Sequence, residues 1–521
     1  MFLLPFLLET GLLTFKNHYR ELDKGYYYSE FIVLLLALMY LRRIKNPEQL
    51  KNFSSGEFGK LMGIDRIPEA KCLRSKIGAL TAQQKAAEWN KELAHSWSAQ
   101  EENEIYYIDG HVQVYHGYLA NLGKKHVSRQ KLCLPGIQEF WVNNIEGMPY
   151  FYVTGQVNEK LQQMIEDHLA EMIKQMPNMP DQKQLDGDVE LPACTIVFDR
   201  EAYSPSFFKR LWEQHRIAVI TYRKAVKDRW DETWFQSYSI NGELTEEVQL
   251  ELAEQPVVLN QVEMREIRCL SKDGHQSSVI TTNRKLSILM IAFYMFSRWS
   301  QENFFRYLRQ DYDFDRILQY AVNQLDSQIV VSNPAYNKVN QQLKKVREKI
   351  QRRKAVIHDL NQIDEIDKTS YIVSRLFKVN QELLDFNKQE QDLLTQREQI
   401  TTTIKIEDMP EEYRYNTLQL ESKYFINIIK MICYRAETSM ANLIYPFLKK
   451  SINEKRMFVK NIINSTIDIK VNRKENVLEI CLYSLSTPRE NEMVLKICEL
   501  LNQNNCVYPG TNLTLRYKFA T

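Results

Sequence analysis

Three acidic side chains stand where a carboxylate can do chemistry: Asp109 in EIYYIDGHVQVY, Asp199 in CTIVFDREAYS and Glu302 in FSRWSQENFFRYL. Side chains alternate along a strand with period two, so the Ile-, Tyr- and Val-rich run from Ile105 to Val114 turns Asp109 out of an otherwise buried sheet. Asp199 follows Thr195, Ile196, Val197 and Phe198 in the same way, and the pattern around Glu302 is helical. A carboxylate that ends an apolar strand is costly unless it meets a cation or solvent, and clusters of Asp and Glu oxygens suit Mg²⁺ or Mn²⁺. The three acids are therefore expected to form one metal-binding set. A single Asp at a strand end is ordinarily a cap or turn residue, and only the three settings together favour catalysis. His111 falls on the same strand face as Asp109, where it either bonds the site or merely lines it. Arg200, Glu201 and Tyr203 follow the second acid, and Glu201 rivals Asp199, although its position sets it on the opposite approach unless the strand has already turned. Arg298 lies one helical turn before Glu302, within reach of a carboxylate or a phosphate.

Positioning these acids calls for an α/β scaffold. Residues 101–225 alternate strands with helices, including one helix from Gln156 to Met176, a polar linker MPNMPDQKQLDGD, a helix at SPSFFKRLWEQ and a strand at HRIAVITYRK. Residues 226–282 carry the strand-type runs TWFQSYSI, VVLNQVEMREIRCL and QSSVITT, with Asn241-Gly242 and Asp273-Gly274 as hairpin turns. They read as a β-rich insertion, because 103 positions separate Asp199 from Glu302 and a bare strand and helix need far fewer. Residues 283–332 return to the core with the helix that bears Glu302.

Residues 1–100 look helical. The apolar run Phe31 to Leu41 is 11 residues long, against the ~20 of a membrane helix, and reads as a buried core helix. GEFGKLMGI and IPEAKCLRSKIGAL, separated by Gly63, Asp65 and Pro68, have the length and turn chemistry of a helix-turn-helix, with Lys71, Arg74 and Lys76 available to phosphates; an ordinary packing layer with a solvated basic face is the competing reading. Over 333–405 the apolar residues from Val339 to Leu360 and from Ile372 to Ile400 follow coiled-coil spacing on either side of NQIDEIDKTS, which predicts an antiparallel helical hairpin. Its first arm carries eight Lys and Arg between Lys338 and Lys354 against Glu348, ordinarily a solvated face and alternatively a DNA contact. Residues 406–521 read as a helix through KYFINIIKMICYRAET and a small α+β unit, with Arg435 and Glu437 as a candidate buried ion pair.

Composition sets the outer bounds. The 521 residues are 44% hydrophobic and 11% aromatic, ample for several cores. A formal charge of +2 means that any nucleic-acid surface must come from local basic patches. Eight scattered cysteines without a Cys-x-x-Cys pair argue for buried thiols in a reducing cytoplasm and against zinc. The N-terminal MFLLPFLLETGLLTF lacks a basic leader and a small-residue cleavage pattern, so it is a poor signal peptide, and no membrane association is expected.

The order Asp, Asp, Glu in these contexts resembles bacterial insertion-sequence transposases of the DDE type. The resemblance extends through IDGHVQVYHG, LGKKHVSRQKLCLPG, FWVNNIEGMPYFYVTGQVNE, VFDREAYSP, ITTN, RWSQENFF, IKMICYRAE and VYPGTNLTLRY, from about Tyr26 to the C-terminus. In many cut-and-paste members the Glu helix carries Tyr-x-x-Arg-x-x-x-Glu-x-x-x-x-x-x-Lys. Here Arg298 and Glu302 fit, Met295 stands at the Tyr position beside Tyr294, and Arg309 replaces the Lys, so no role is carried over for those two positions. Other members usually begin further upstream, which implies a truncated copy with impaired end recognition.

The resemblance implies a ribonuclease-H-like mixed sheet flanked by helices and a two-metal mechanism. Two Mg²⁺ or Mn²⁺ ions about 4 Å apart would activate a water or a 3′-hydroxyl and stabilise the leaving oxygen. Asp109 would bridge the ions, and Asp199 and Glu302 would each hold one. Double-stranded DNA, both transposon ends and target, is the implied partner, and a homodimer on DNA the implied assembly. Besides Arg298 and Arg309, the candidate DNA-backbone contacts are Lys124, Lys125, Arg129, Arg223, Lys224, Arg74 and Lys76. Two rival functions remain, a structure-selective nuclease with the same fold and metals and a decayed DNA-binding copy. Terminal inverted repeats flanking the gene would separate the first reading from both.

Overall fold

The computed structural model describes residues 1–521 other than 23–24, 102–104, 119, 128, 156–158, 241–247, 317–321, 325–326, 363–369, 412–413, 415, 445–451 and 521. The N-terminal hundred residues form α1 (Leu4–Glu9), α2 (Ser29–Leu41), α3 (Ser55–Leu61), α4 (Ala70–Thr81) and α5 (Ala86–Ala99). Every residue of α2 is buried, Ser29 and Glu30 included, as expected of a helix that is apolar on all sides and walled in by others. Among the described residues no helix is long and apolar enough to cross a membrane.

Four strands follow: β1 (Ile105–Val114), β2 (Lys124–Val127), β3 (Leu132–Asn143) and β4 (Pro149–Gly155). The helix expected over Gln156–Met176 begins later, as α6 (Leu161–Met164) and α7 (Ala170–Lys174) joined through a π-helical turn, Ile165–Leu169; residues 156–158 lie outside the described residues. The polar stretch beyond it is not all linker. Asp181 and Gln184 close a capping box that starts α8 (Gln182–Gly187), and this local bonding is enough to fold one polar turn and a half. Then come β5 (Cys194–Val197), α9 (Pro205–His215) and β6 (Ile217–Tyr222).

β7 (Gln236–Ile240), β8 (Val248–Leu259), β9 (Val262–Leu270) and β10 (Gln276–Thr281) are not a separate unit. They extend the central sheet, whose order is β2-β3-β1-β5-β6-β10-β9-β8-β7 with β4 also paired to β3. β5 runs parallel to β1 and to β6, whereas β3 is antiparallel to β1 and β10 antiparallel to β6. The run VVLNQVEMREIRCL, which reads as one strand, folds back at Asn260 and Gln261, with φ of 49° and 64°. Two successive left-handed residues make the tight turn whose twist suits a hairpin. The expected Asn241-Gly242 turn lies outside the described residues.

α10 (Ile288–Phe296) and α11 (Trp299–Tyr312) come next, then β11 (Val322–Gln324) and β12 (Val330–Ser332). The long helices α12 (Pro334–Asn361) and α13 (Ser370–Glu398) pack side by side with Arg347 on Glu390 at 2.6 Å and Arg353 on Glu382 at 2.5 Å. β13 (Thr403–Lys405) and β14 (Asn416–Leu418) lead to α14 (Glu421–Ile444), α15 (Ile452–Asn464), β15 (Ile467–Asn472), β16 (Val477–Tyr483), α16 (Pro488–Gln503) and β17 (Thr514–Ala520).

α14 is no appendage, since its residues from Phe425 to Ile444 share one core with α1, α2 and α5. Arg435 and Glu437 are both buried but do not pair with each other. Arg435 binds Glu101 at 3.1 Å and Glu437 binds Arg43 at 2.6 Å, because side chains two apart on a helix point to different sides.

The period-two pattern divides the central sheet between two cores. Tyr106, Ile108 and Ile196 enter the helical core with α2, α5 and α14. Ile105, Tyr107, Val197 and Ile220 face the other core, which α10 closes with Ile291, Ala292 and Met295. A mixed sheet flanked by helices is the frame on which the acids stand.

Candidate active site

Period two carries Asp109 onto the face of Ile105 and Tyr107, the face that α10 covers. The last parallel pair between β1 and β5 is Tyr107 with Val197. Two residues further, the same register sets Asp109 beside Asp199. Both carboxylates are steadied by the next backbone N–H: that of Gly110 donates to Asp109 Oδ1 at 3.0 Å, and that of Arg200 to Asp199 Oδ1 at 2.7 Å.

The third acid arrives from α11. α10 ends at Phe296, Arg298 caps α11, and Glu302 stands in its first turn. The Tyr107 hydroxyl donates to the Tyr294 carbonyl at 2.8 Å and pins α10 to β1. Met295, at the position where the resembled pattern has Tyr, is fully buried in the second core. Arg298 Nη2 then lies 3.5 Å from Asp199 Oδ2 and 3.3 Å from Glu302 Oε1, and its charge also favours the ionised form of Asp109.

Asp199 and Glu302 thus share one guanidinium, and its charge reaches Asp109 as well. Among the described residues no group of three His, Cys, Asp or Glu is gathered as a ready metal centre. The donors nevertheless suit a hard divalent cation, being carboxylate oxygens throughout, with Asp199 and Glu302 47% and 65% exposed.

Glu201 is a fourth carboxylate near the site, and it lies, as the sequence leads one to expect, on the strand face opposite Asp109. The 3-10 turn Arg200–Ala202 swings it back over β1. There its Oε2 stands 3.4 Å from the point where a Cβ on Gly110 would lie, and its Oε1 is 3.5 Å from Gln138 Nε2. Burial pushes the Asp109 carboxyl from 3.8 up to about 6, and the charge of Glu201 adds to the rise against the pull of Arg298 and His111. Burial raises Glu201 too, as does Asp199. Crowding of like charges is what a cation-accepting site requires.

His111 keeps the strand face of Asp109 and packs on α11, the helix that bears Glu302. It stacks on Phe305 at 4.9 Å between ring centroids and bonds Asp315 at 2.6 Å. Arg129 reaches the same Asp315 at 3.0 Å. Burial works to raise Asp315, but its bonds to His111 and Arg129 and the Arg129 charge hold it below its ordinary range.

The remaining basic candidates differ in what holds them. Arg223 is tied to buried Glu266, and Arg74 to Glu48. Arg309 donates from Nε to the Phe305 carbonyl at 3.1 Å. Lys224 sits 5.6 Å from the Tyr203 ring centre, and Lys125 is influenced by Glu159 and Glu201 at the mouth of the site. Lys124 beside it is exposed. Lys76 lies near Gly25, away from the acids on α4.

A family model described as "Transposase protein", Transposase_29, matches residues 1–521. No curated protein matches the chain. Among solved structures, a cryo-EM structure of the piggyBac transposase synaptic complex with hairpin DNA is similar, at 10% identity and a TM-score of 0.32, over 59% of this chain and 64% of that one. The chain therefore spans less than two thirds of that protein's length.

Proposed function

The chain belongs to the Transposase_29 family, and from that premise we propose that it is a DNA transposase that hydrolyses phosphodiesters and transfers strands at the ends of a bacterial insertion sequence. Asp109, Asp199 and Glu302 are its catalytic acids. The observation that carries this reading is that Asp199 and Glu302, from the end of β5 and from α11, share the guanidinium of Arg298, with Asp109 on the adjoining strand β1 under the influence of the same charge.

The strand order supports a ribonuclease-H-like core. β4-β3-β1-β5-β6 is a five-strand segment in which only β3 runs against its neighbours, with one acid in the first strand, one just past the fourth and one on a following helix. Two Mg²⁺ or Mn²⁺ ions held by the acids would supply the activated water or 3′-hydroxyl and stabilise the leaving oxygen.

The chain's own residues do the rest. The Gly110 and Arg200 N–H groups fix the Asp109 and Asp199 carboxylates, while the exposed Glu302 carboxylate is held by Arg298 and would shift between hydrolysis and strand transfer. Arg298 offers its fork to a phosphate. Lys124, Lys125 and Lys224 flank the mouth and hold the DNA backbone, with Arg129 and Arg309 beyond them. The partner is duplex DNA, engaged as a homodimer, in the cytoplasm, where eight free cysteines stay reduced.

The deciding experiment is Mn²⁺-dependent cleavage of a duplex carrying the gene's own flanking ends, by the full chain and by Glu302→Ala. Cleavage at the end that the variant loses supports a working transposase. Cleavage irrespective of end sequence turns the reading toward a structure-selective nuclease, and binding without cleavage by either chain toward a decayed copy.

A further inference from the structure

We infer that Arg298 is a built-in competitor of divalent metal: its guanidinium holds Asp199 and Glu302 together, and the acid set opens to metal when the fork is drawn onto a phosphate. The inference rests on reading Asp109, Asp199 and Glu302 as metal-binding acids, and it adds an order of events that this reading alone does not contain.

The geometry gives three reasons. First, one Nη2 atom is shared by two carboxylates at 3.5 and 3.3 Å, so the cation lies between the oxygens that a metal would take. Second, the two pairs are weak individually. Asp199 and Glu302 are 47% and 65% exposed while Arg298 is 14% exposed, and ion pairs that include well-hydrated carboxylates are individually marginal. A phosphate offers the guanidinium two parallel charge-assisted bonds in its preferred geometry. Third, Arg298 stands at the break between α10 and α11, so its side chain projects from a helix start and not from a packed helical interior. The surrounding charges point the same way. Glu201 adds a further negative charge across the strand from Asp109, so loss of Arg298 leaves the acids without their shared counter-charge, which a metal cation can then supply.

The test is Mn²⁺ binding to the full chain by titration calorimetry at neutral pH, without DNA, for the natural sequence, Arg298→Ala, Arg298→Lys and Asp109→Asn. Expected is roughly tenfold tighter Mn²⁺ binding by Arg298→Ala, with Arg298→Lys, which keeps the charge and loses the fork, in between. Should Arg298→Ala fail to fold, tighter binding by Arg298→Lys than by the natural sequence supports the competition on its own. Equal or weaker binding in both Arg298 variants, together with loss of binding in Asp109→Asn, overturns the competition and leaves the metal-binding acids standing. Absence of Mn²⁺ binding in every chain overturns the acids' metal role and the inference with it.

Discussion

Around α14, charge is balanced and sealed; around α11, it is unbalanced and half open. Glu437, 1% exposed, receives Arg43 at 2.6 Å and the Tyr307 hydroxyl at 2.8 Å. Lys423 meets Glu139 at 2.6 Å with both side chains all but inaccessible, and Trp141 and Gln113 donate to the second Glu139 oxygen. At the acid cluster, by contrast, Asp199 and Glu302 share Arg298, and its charge is also the one set against the buried Asp109. Both clusters use the same residue types. Buried pairs whose carboxylate oxygens are both engaged serve the scaffold, whereas surplus charge of one sign at a solvent-facing mouth favours a further cation.

The sharpest way to break that contrast is Asp109→Ala. End cleavage in single turnover should fall on the order of 10⁴-fold while DNA binding, read by fluorescence anisotropy, holds. Equal loss of both would make Asp109 a scaffold residue. Next in size is Glu139→Gln, which strands a buried ammonium and should cost about 3–5 kcal/mol in denaturant unfolding. A cost under about 1 kcal/mol would erase the distinction between the clusters.

A smaller effect should appear in Asp109→Asn. Because burial raises the folded carboxyl from 3.8 to about 6, the folded chain binds this proton more tightly than the unfolded chain does. The natural sequence then loses stability as pH climbs through that window, and the neutral amide does not. In EDTA at pH 7 the variant should melt roughly 1–3 °C higher, with the gap closing toward pH 4; a lower melting point at pH 7 would contradict the crowding. Smallest is Arg347→Ala in the hairpin, where the Glu390 pair is half exposed. It should shift unfolding by less than about 1 kcal/mol, and a larger shift would mean that exposed pairs here behave like sealed ones.

The elements that carry the acids are legible in the sequence because each has an unmixed period: alternation over Ile105–Val114, a short apolar run before Asp199, and helical spacing around Glu302. The all-apolar α2 is legible for a similar reason. What escapes depends on turns and on distant partners. Asn260–Gln261 has neither Gly nor Pro to mark it, so two strands read as one. Glu201 comes to lie against Gly110 and Gln138 because three residues wind into a 3-10 turn. The partners of Arg129, Arg223 and Arg435 are Asp315, Glu266 and Glu101, between 43 and 334 positions away, and no local pattern encodes them.

The continuity of the central sheet gives its far edge a fixed relation to the strand that bears Asp109. From β1 to β7 the ladder takes six steps, through β5, β6, β10, β9 and β8. At the usual spacing that is about 29 Å, and at the usual twist it is roughly 120° of rotation. A hydrogen-bonded ladder flexes without hinging, so β7 and β8 form a stiff outrigger pointed well away from the plane of β1. Whatever touches that outrigger meets a gauge whose reach and bearing are set by strand count alone.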